Sequence, residues 1–140
     1  MGCGQELERL EEIMRTLRSE HGCPWDREQS HWTLRPYLLE EAYEVLEAIE
    51  EDSPAHLREE LGDLLLQTVF HAQLAAEAEQ FNLTEVLQEI NTKLIRRHPH
   101  VFAEGEATSA EGVVATWEQI KAKEKGSARS SALSGVPTIL

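Results

Sequence analysis

Cysteine is scarce in this chain. Cys3 and Cys23 are its only two, too few for a disulfide framework and without metal-binding spacing. Both are read as free thiols of a reducing, cytoplasmic compartment. No apolar run approaches the roughly 20 residues needed to cross a bilayer. No secretory signal is read ahead of the first helix, and Met1-Gly2-Cys3-Gly4-Gln5-Glu6 lacks the Ser/Thr of a myristoylation signal. A membrane partner is therefore not expected. Basic charge is also short, with 13 Lys and Arg against 26 Asp and Glu for a formal net charge of −13. That balance excludes a general nucleic-acid coat, which needs cations to neutralise phosphates. Runs of β-branched residues are missing too, which argues against a sheet.

What remains is helical periodicity over 140 residues, 41% hydrophobic and 28% charged, most simply one soluble domain. The apolar spacing predicts a first helix over about 5–20, with Leu7, Leu10, Ile13, Met14 and Leu17 in one stripe. Gly22-Cys23-Pro24-Trp25-Asp26 opens an irregular loop to about residue 31. A second helix spans about 33–51, and Pro54 begins a third that runs to about 79. A fourth covers about 83–97 and stops at His98-Pro99-His100. After a Gly/Ala/Ser-rich stretch near 103–110, a fifth covers about 111–125. The expectation is an all-α bundle of about five helices over about 1–125, with a flexible tail or linker over about 126–140.

Two acidic clusters stand out, Glu40-Glu41-Ala42-Tyr43-Glu44 and Glu60-Leu61-Gly62-Asp63. Each offers two carboxylates at i and i+3, so each pair projects from one side of a helix. Four such groups aimed at one point repel unless a hard divalent cation sits among them, and Mg²⁺ or Mn²⁺ prefers oxygen ligands of this kind. At roughly 100° per residue, Leu38, Ala42, Val45 and Ile49 centre the stripe of the second helix, with Glu41 and Glu44 on one flank. Leu57, Leu61, Leu64 and Thr68 centre that of the third. Glu60 and Asp63 share the matching flank, with Gln67 and His71 below. Leu66, Val69 and Phe70 form a second apolar face on this third helix, so the helix is either central or covered by another subunit, and a homodimer or higher homo-oligomer is the expectation.

The fourth helix carries Lys93 and Arg97 on one flank of its Leu83, Val86, Leu87, Ile90 and Leu94 stripe, whereas Arg96 points outward. Two cations a turn apart suit a polyphosphate, or else they pair with neighbouring acids or with the helix end. In the fifth helix Trp117 and Lys121 are also a turn apart, although Trp117 taken alone reads first as a core anchor.

The ordered set Glu40-Glu41-Ala42-Tyr43-Glu44 and Glu60-Leu61-Gly62-Asp63 resembles the EExxE…ExxD signature of the MazG nucleotide pyrophosphohydrolases. The likeness extends through Gly22-Cys23-Pro24-Trp25-Asp26, Leu34-Arg35-Pro36-Tyr37-Leu38-Leu39, Arg96-Arg97-His98-Pro99-His100-Val101-Phe102 and Trp117-Glu118-Gln119-Ile120-Lys121. It implies an all-α fold dimerising through helix packing, and Mg²⁺-dependent cleavage of nucleoside triphosphates to monophosphate and pyrophosphate. By motif, Glu41, Glu44, Glu60 and Asp63 match the family's metal ligands and catalytic centre. Asn91, Lys93, Arg97, Trp117 and Lys121 match positions associated with substrate binding. Longer relatives carry a second copy of the domain, and Ser130-Ser131-Ala132-Leu133 through Val136-Pro137 resembles the connector to it.

That chemistry suits the residues. Hydrolysis between the α- and β-phosphates needs a positioned water and neutralised phosphate charge, which a metal with Lys and Arg supplies. A cluster carboxylate, or Glu40, serves as the base. The alternatives are a narrower hydrolase of one deoxynucleotide or of phosphoribosyl-ATP, and a non-catalytic nucleotide- or protein-binding module. Trp25, Trp32 or Trp117 offers a base a stacking face, which discriminates poorly between bases.

Overall fold

A computed structural model describes residues 2–103 and 109–127. Every regular element among the described residues is a helix, so the all-α expectation holds. The connector-like segment from Ser130 to Pro137 and most of the stretch near 103–110 lie outside the described residues.

Among the described residues there are seven helices where about five were expected: α1 Cys3–Leu17, α2 Pro24–Glu28, α3 Arg35–Glu50, α4 Pro54–Glu77, α5 Leu83–Arg97, α6 Pro99–Phe102 and α7 Ala110–Ser127. The two additions, α2 and α6, are short and each has a proline in its first turn. Proline lacks an N–H that this position does not use, and its fixed φ suits helix entry. The same residues read as breakers when only the preceding helix is considered. Gly126 and Ser127 belong to α7 rather than to the tail expected there. Among the described residues, no helix is long and apolar enough to cross a membrane.

The chain divides into two compact units, one from the N-terminus to Val86 and one from Leu87 onward. In the first, Met14 of α1, Leu34, Val69, Phe70 and Ala72 of α4, and Leu83 form the buried core. Leu7, Leu10, Leu17, Leu66 and Leu74 pack against it. Trp25 of α2 meets Phe70 edge-on at 6.5 Å and Tyr37 of α3 at 5.4 Å.

Gly22 shapes the connection out of α1. Its N–H donates to Ser19 O at 2.9 Å, and the next N–H, of Cys23, donates to Leu17 O at 2.8 Å. This brings the chain so close to the end of α1 that any Cβ at position 22 would collide with the carbonyls of Thr16 and Leu17. Arg18 secures the same region. Its Nε and one amino group form a fork onto Glu77 of α4 at 2.9 and 2.7 Å. Its other amino group donates to Asp26 O and Gln29 O.

A short turn joins α3 to α4. Glu51 ends α3, Asp52 takes a left-handed φ of 54°, and Ser53 Oγ accepts the His56 N–H at 3.3 Å as the cap of α4. Asp tolerates that conformation better than most residues, and Ser before Pro54 is a favoured helix start.

The phase of α4 differs from the sequence expectation. Leu61, Leu65 and Thr68 are exposed, whereas Glu60, Gln67, Val69, Phe70, Ala72 and Ala75 are buried. The face of Leu66, Val69 and Phe70, expected to meet another subunit, lies in the core of this unit. On α3, Ala48 is buried, while Leu38 and Ile49, assigned to the centre of the stripe, are exposed. Both helices direct a partly polar line inward, which a purely hydrophobic wheel places on the flank.

Candidate metal centre

That inward line carries the acids. Glu41 and Glu44 of α3 and Glu60 and Asp63 of α4 each offer one oxygen, and these four atoms lie within 4.8 Å of one another. Helical spacing sets the two pairs, and the packing of α3 on α4 brings them together. Glu60 is 7% exposed, and the other three are half-buried. Oε2 of Glu41 and Oε2 of Glu60 are buried and receive no donor. Buried oxygens without a donor are costly unless something positive faces them.

The electrostatics register that cost. The Glu60 carboxyl is pushed up to about 7, first through hydrogen bonding to Glu44, then through burial and the charges of Glu44 and Asp63. A proton on either group turns the Glu44–Glu60 contact from repulsion into a hydrogen bond. Glu41 is also raised, first by burial, then by the charges of Glu44, Asp63 and Glu40. Glu40 itself is exposed. Convergent hard oxygens, with a buried oxygen lacking a donor on two of the four groups, fit a divalent cation such as Mg²⁺ or Mn²⁺.

Sequence reasoning missed His56. Its Nε2 lies 3.1 Å from Glu60 Oε1, and its Nδ1 lies 2.7 Å from Glu51 Oε2. The signal was present, since His56 precedes Glu60 by one helical turn. Further along α4 the buried Gln67 Oε1 also lacks a donor. His71 Nδ1 meets His31 Nδ1 at 2.7 Å with the rings parallel, and burial followed by the His31 charge lowers its pKa.

In the second unit, Arg97 donates to Glu124 Oε2 at 2.9 Å, and Arg96 holds Glu124 Oε1 through Nε at 2.7 Å. The pairing with a neighbouring acid that the sequence left open is therefore made. Arg96 is not merely solvated. Hydrogen bonding to Arg97 leads the causes that lower the Glu124 carboxyl. Even so, Arg97 Nε is buried without an acceptor, and so is Trp117 Nε1. The Trp117 ring meets His98 edge-on at 5.1 Å. Lys121 Nζ lies 3.7 Å from Glu118, Lys93 is half-buried and Asn91 is exposed.

The sequence model of the MazG nucleotide pyrophosphohydrolase domain matches residues 29–102, which include all four acids. The chain belongs to the MazG family. It is 50% identical over 130 residues, 93% of its length, to the nucleoside triphosphate pyrophosphohydrolase/pyrophosphatase MazG of Thermotoga maritima. It is 50% identical over 137 residues to the nucleoside triphosphate pyrophosphohydrolase of Escherichia coli. These alignments cover 49% and 52% of those proteins, so the chain spans about half the length of the curated relatives it matches. Among solved structures, a mazG-related protein from Thermotoga maritima superposes with a TM-score of 0.67 at 35% identity. That match covers 82% of this chain and 98% of the other.

Proposed function

We propose that this MazG chain hydrolyses nucleoside triphosphates to the monophosphate and pyrophosphate, using Mg²⁺ or Mn²⁺ held by Glu41, Glu44, Glu60 and Asp63. The observation that carries the reading is the convergence of four carboxylate oxygens within 4.8 Å, two of those groups having a buried oxygen without a donor. Bound there, the metal supplies positive charge to phosphate oxygens and to the attacking water. Water adds at the α-phosphorus, the bond from that phosphorus to the bridging oxygen breaks, and pyrophosphate leaves with the electron pair. The water's proton passes to a carboxylate of the cluster or to Glu40.

Asn91, Lys93, Arg97, Trp117 and Lys121 occupy the family's substrate-binding positions, and we assign them that role. Arg97 already orients its guanidinium on Glu124, and its unused Nε–H is a donor suited to a phosphate oxygen. Trp117 combines a stacking face with an unpaired N–H. Residues about 1–125 are proposed to form the functional domain. The active species is proposed to be a homodimer, through apolar residues that α3 and α4 leave exposed. Removal of surplus or noncanonical nucleotides is the role such a reaction serves.

Pyrophosphate release from a panel of NTPs and dNTPs with Mg²⁺ tests this directly. Activity on one nucleotide alone would select a narrower hydrolase, and no release from any would leave a binding module. Glu60→Gln and Asp63→Asn are each expected to lower kcat/KM by about 100-fold or more, the scale of several kcal/mol of lost charge stabilisation. The helical circular dichroism should persist, because Glu60 is a source of repulsion in the metal-free fold. Wild-type turnover in either variant would remove the metal assignment.

A further inference from the structure

Glu60 is gripped from outside the acidic cluster. His56 sets Nε2 against Glu60 Oε1 and Nδ1 against Glu51 Oε2, so one imidazole spans two carboxylates. Its backbone is fixed as well, since the His56 N–H donates to Ser53 Oγ in the cap of α4. Glu51 is the cap residue that follows the last turn of α3. The ring therefore bridges the end of one ligand-bearing helix and a ligand carboxylate of the next.

This matters because a glutamate side chain has a broad terminal torsion and three rotatable bonds. Glu44 and Asp63 repel Glu60 when all are ionised. An untethered Glu60 would relieve that repulsion by swinging its carboxylate away. With Oε1 engaged by His56, the second oxygen, Oε2, stays buried and without a donor. Hydrogen bonds to the outer atoms of metal ligands commonly fix ligand direction in this way.

We propose that His56 is a positioning residue for the acidic centre, tying Glu60 to Glu51 and so presenting the free oxygen of Glu60 to a divalent cation. The inference rests on the four carboxylates being a metal site. A plain helix-stabilising pair at i and i+4 would account for the Glu60 contact alone. It would leave the second bond, to Glu51 across the turn, without a purpose.

The test is Mn²⁺ binding to the full chain without nucleotide, followed by electron paramagnetic resonance at one fixed pH. His56→Ala is expected to weaken Mn²⁺ binding by about 10-fold, the lower end of the effect of outer partners on metal sites. His56→Gln, which keeps one N–H for Glu60, should recover part of that loss. Glu51→Ala, which frees only the far side of the ring, should weaken binding less than His56→Ala. Thermal melts of each variant accompany the titrations, and Glu51→Ala with His56→Gln carry the test should His56→Ala not fold. Mn²⁺ affinity within twofold of wild type in all three variants would overturn the proposal, including when the melting temperature falls, since that pattern marks a structural role only. A wild type that binds no Mn²⁺, or a Glu60→Gln variant that binds it unchanged, overturns the metal reading itself, and the His56 proposal falls with it.

Discussion

Glu60 illustrates how a single side chain carries both function and its cost. It sits on the buried line of α4, with a carboxyl pushed up to about 7 by its contact with Glu44, by burial and by neighbouring charge. An unfolded Glu titrates near about 4.3. Between those two values the folded state binds a proton that the unfolded state has released, so stability falls as pH rises through that window. Above about 7 the destabilisation is complete. The metal-free protein is thus expected to melt higher at pH 5 than at pH 8 on account of this group. Other groups titrate in the same range, so the comparison is with Glu60→Gln, in which that part of the pH dependence should vanish. Saturating Mg²⁺ should likewise flatten it, because a bound cation favours the ionised carboxylate. Identical pH profiles for wild type and Glu60→Gln would show that Glu60 is not strained in the apo fold.

At the scale of elements, the connection between α1 and α3 depends on Arg18. Its guanidinium forms a fork on Glu77, which bonding to Arg18 holds below the usual carboxylate range, and also reaches two backbone carbonyls. Lysine is one point charge and cannot reproduce the fork. Arg18→Lys is expected to cost about 2 kcal/mol, the scale of charge-assisted hydrogen bonds lost in a partly buried site. For a chain of this size that corresponds to roughly 7 °C in Tm, readable by thermal circular dichroism. A change under 1 °C would mean the fork contributes nothing net. The long helices themselves were legible, because α1 and α5 carry a clear apolar period and Pro or Ser marks the starts of α3, α4 and α7. Their rotation was not. A wheel assigns the core to the largest apolar residues, whereas α3 and α4 turn Glu41, Glu44, Glu60 and Gln67 inward and leave Leu61 and Leu65 outside. The juxtaposition of the four acids was legible regardless, since their i, i+3 spacing does not depend on which side is called the core. For His56 the i, i+4 spacing to Glu60 was legible in the same way, whereas its bond to Glu51 across the turn is a matter of tertiary packing.

For the whole molecule, the inward phase of α3 and α4 moves the argument for association to a different surface. Phe70 is 2% exposed and packs with Met14 and Val69, so a charge there attacks the core of the first unit. Leu39, Tyr43 and Leu46 of α3 are instead 60%, 59% and 52% exposed at helical spacing, and Leu61 and Leu65 of α4 are 48% and 45% exposed. Large apolar side chains repeated along helices mark a surface that another protein covers. A second copy of this chain is the proposed occupant, matching the helix-packed dimer that the family resemblance implies. The wild type should then sediment at about twice 15.8 kDa at micromolar concentration, with a melting temperature that rises with protein concentration. Tyr43→Asp combined with Leu61→Asp is expected to shift the mass to that of one chain while the helical signal remains. Phe70→Asp is expected to abolish the cooperative melt instead, because it buries an unpaired charge. The two outcomes separate an interface from a core. A wild type that sediments as one chain, or a Tyr43/Leu61 double variant that keeps the wild-type mass, would show that this apolar surface is not where the molecule associates.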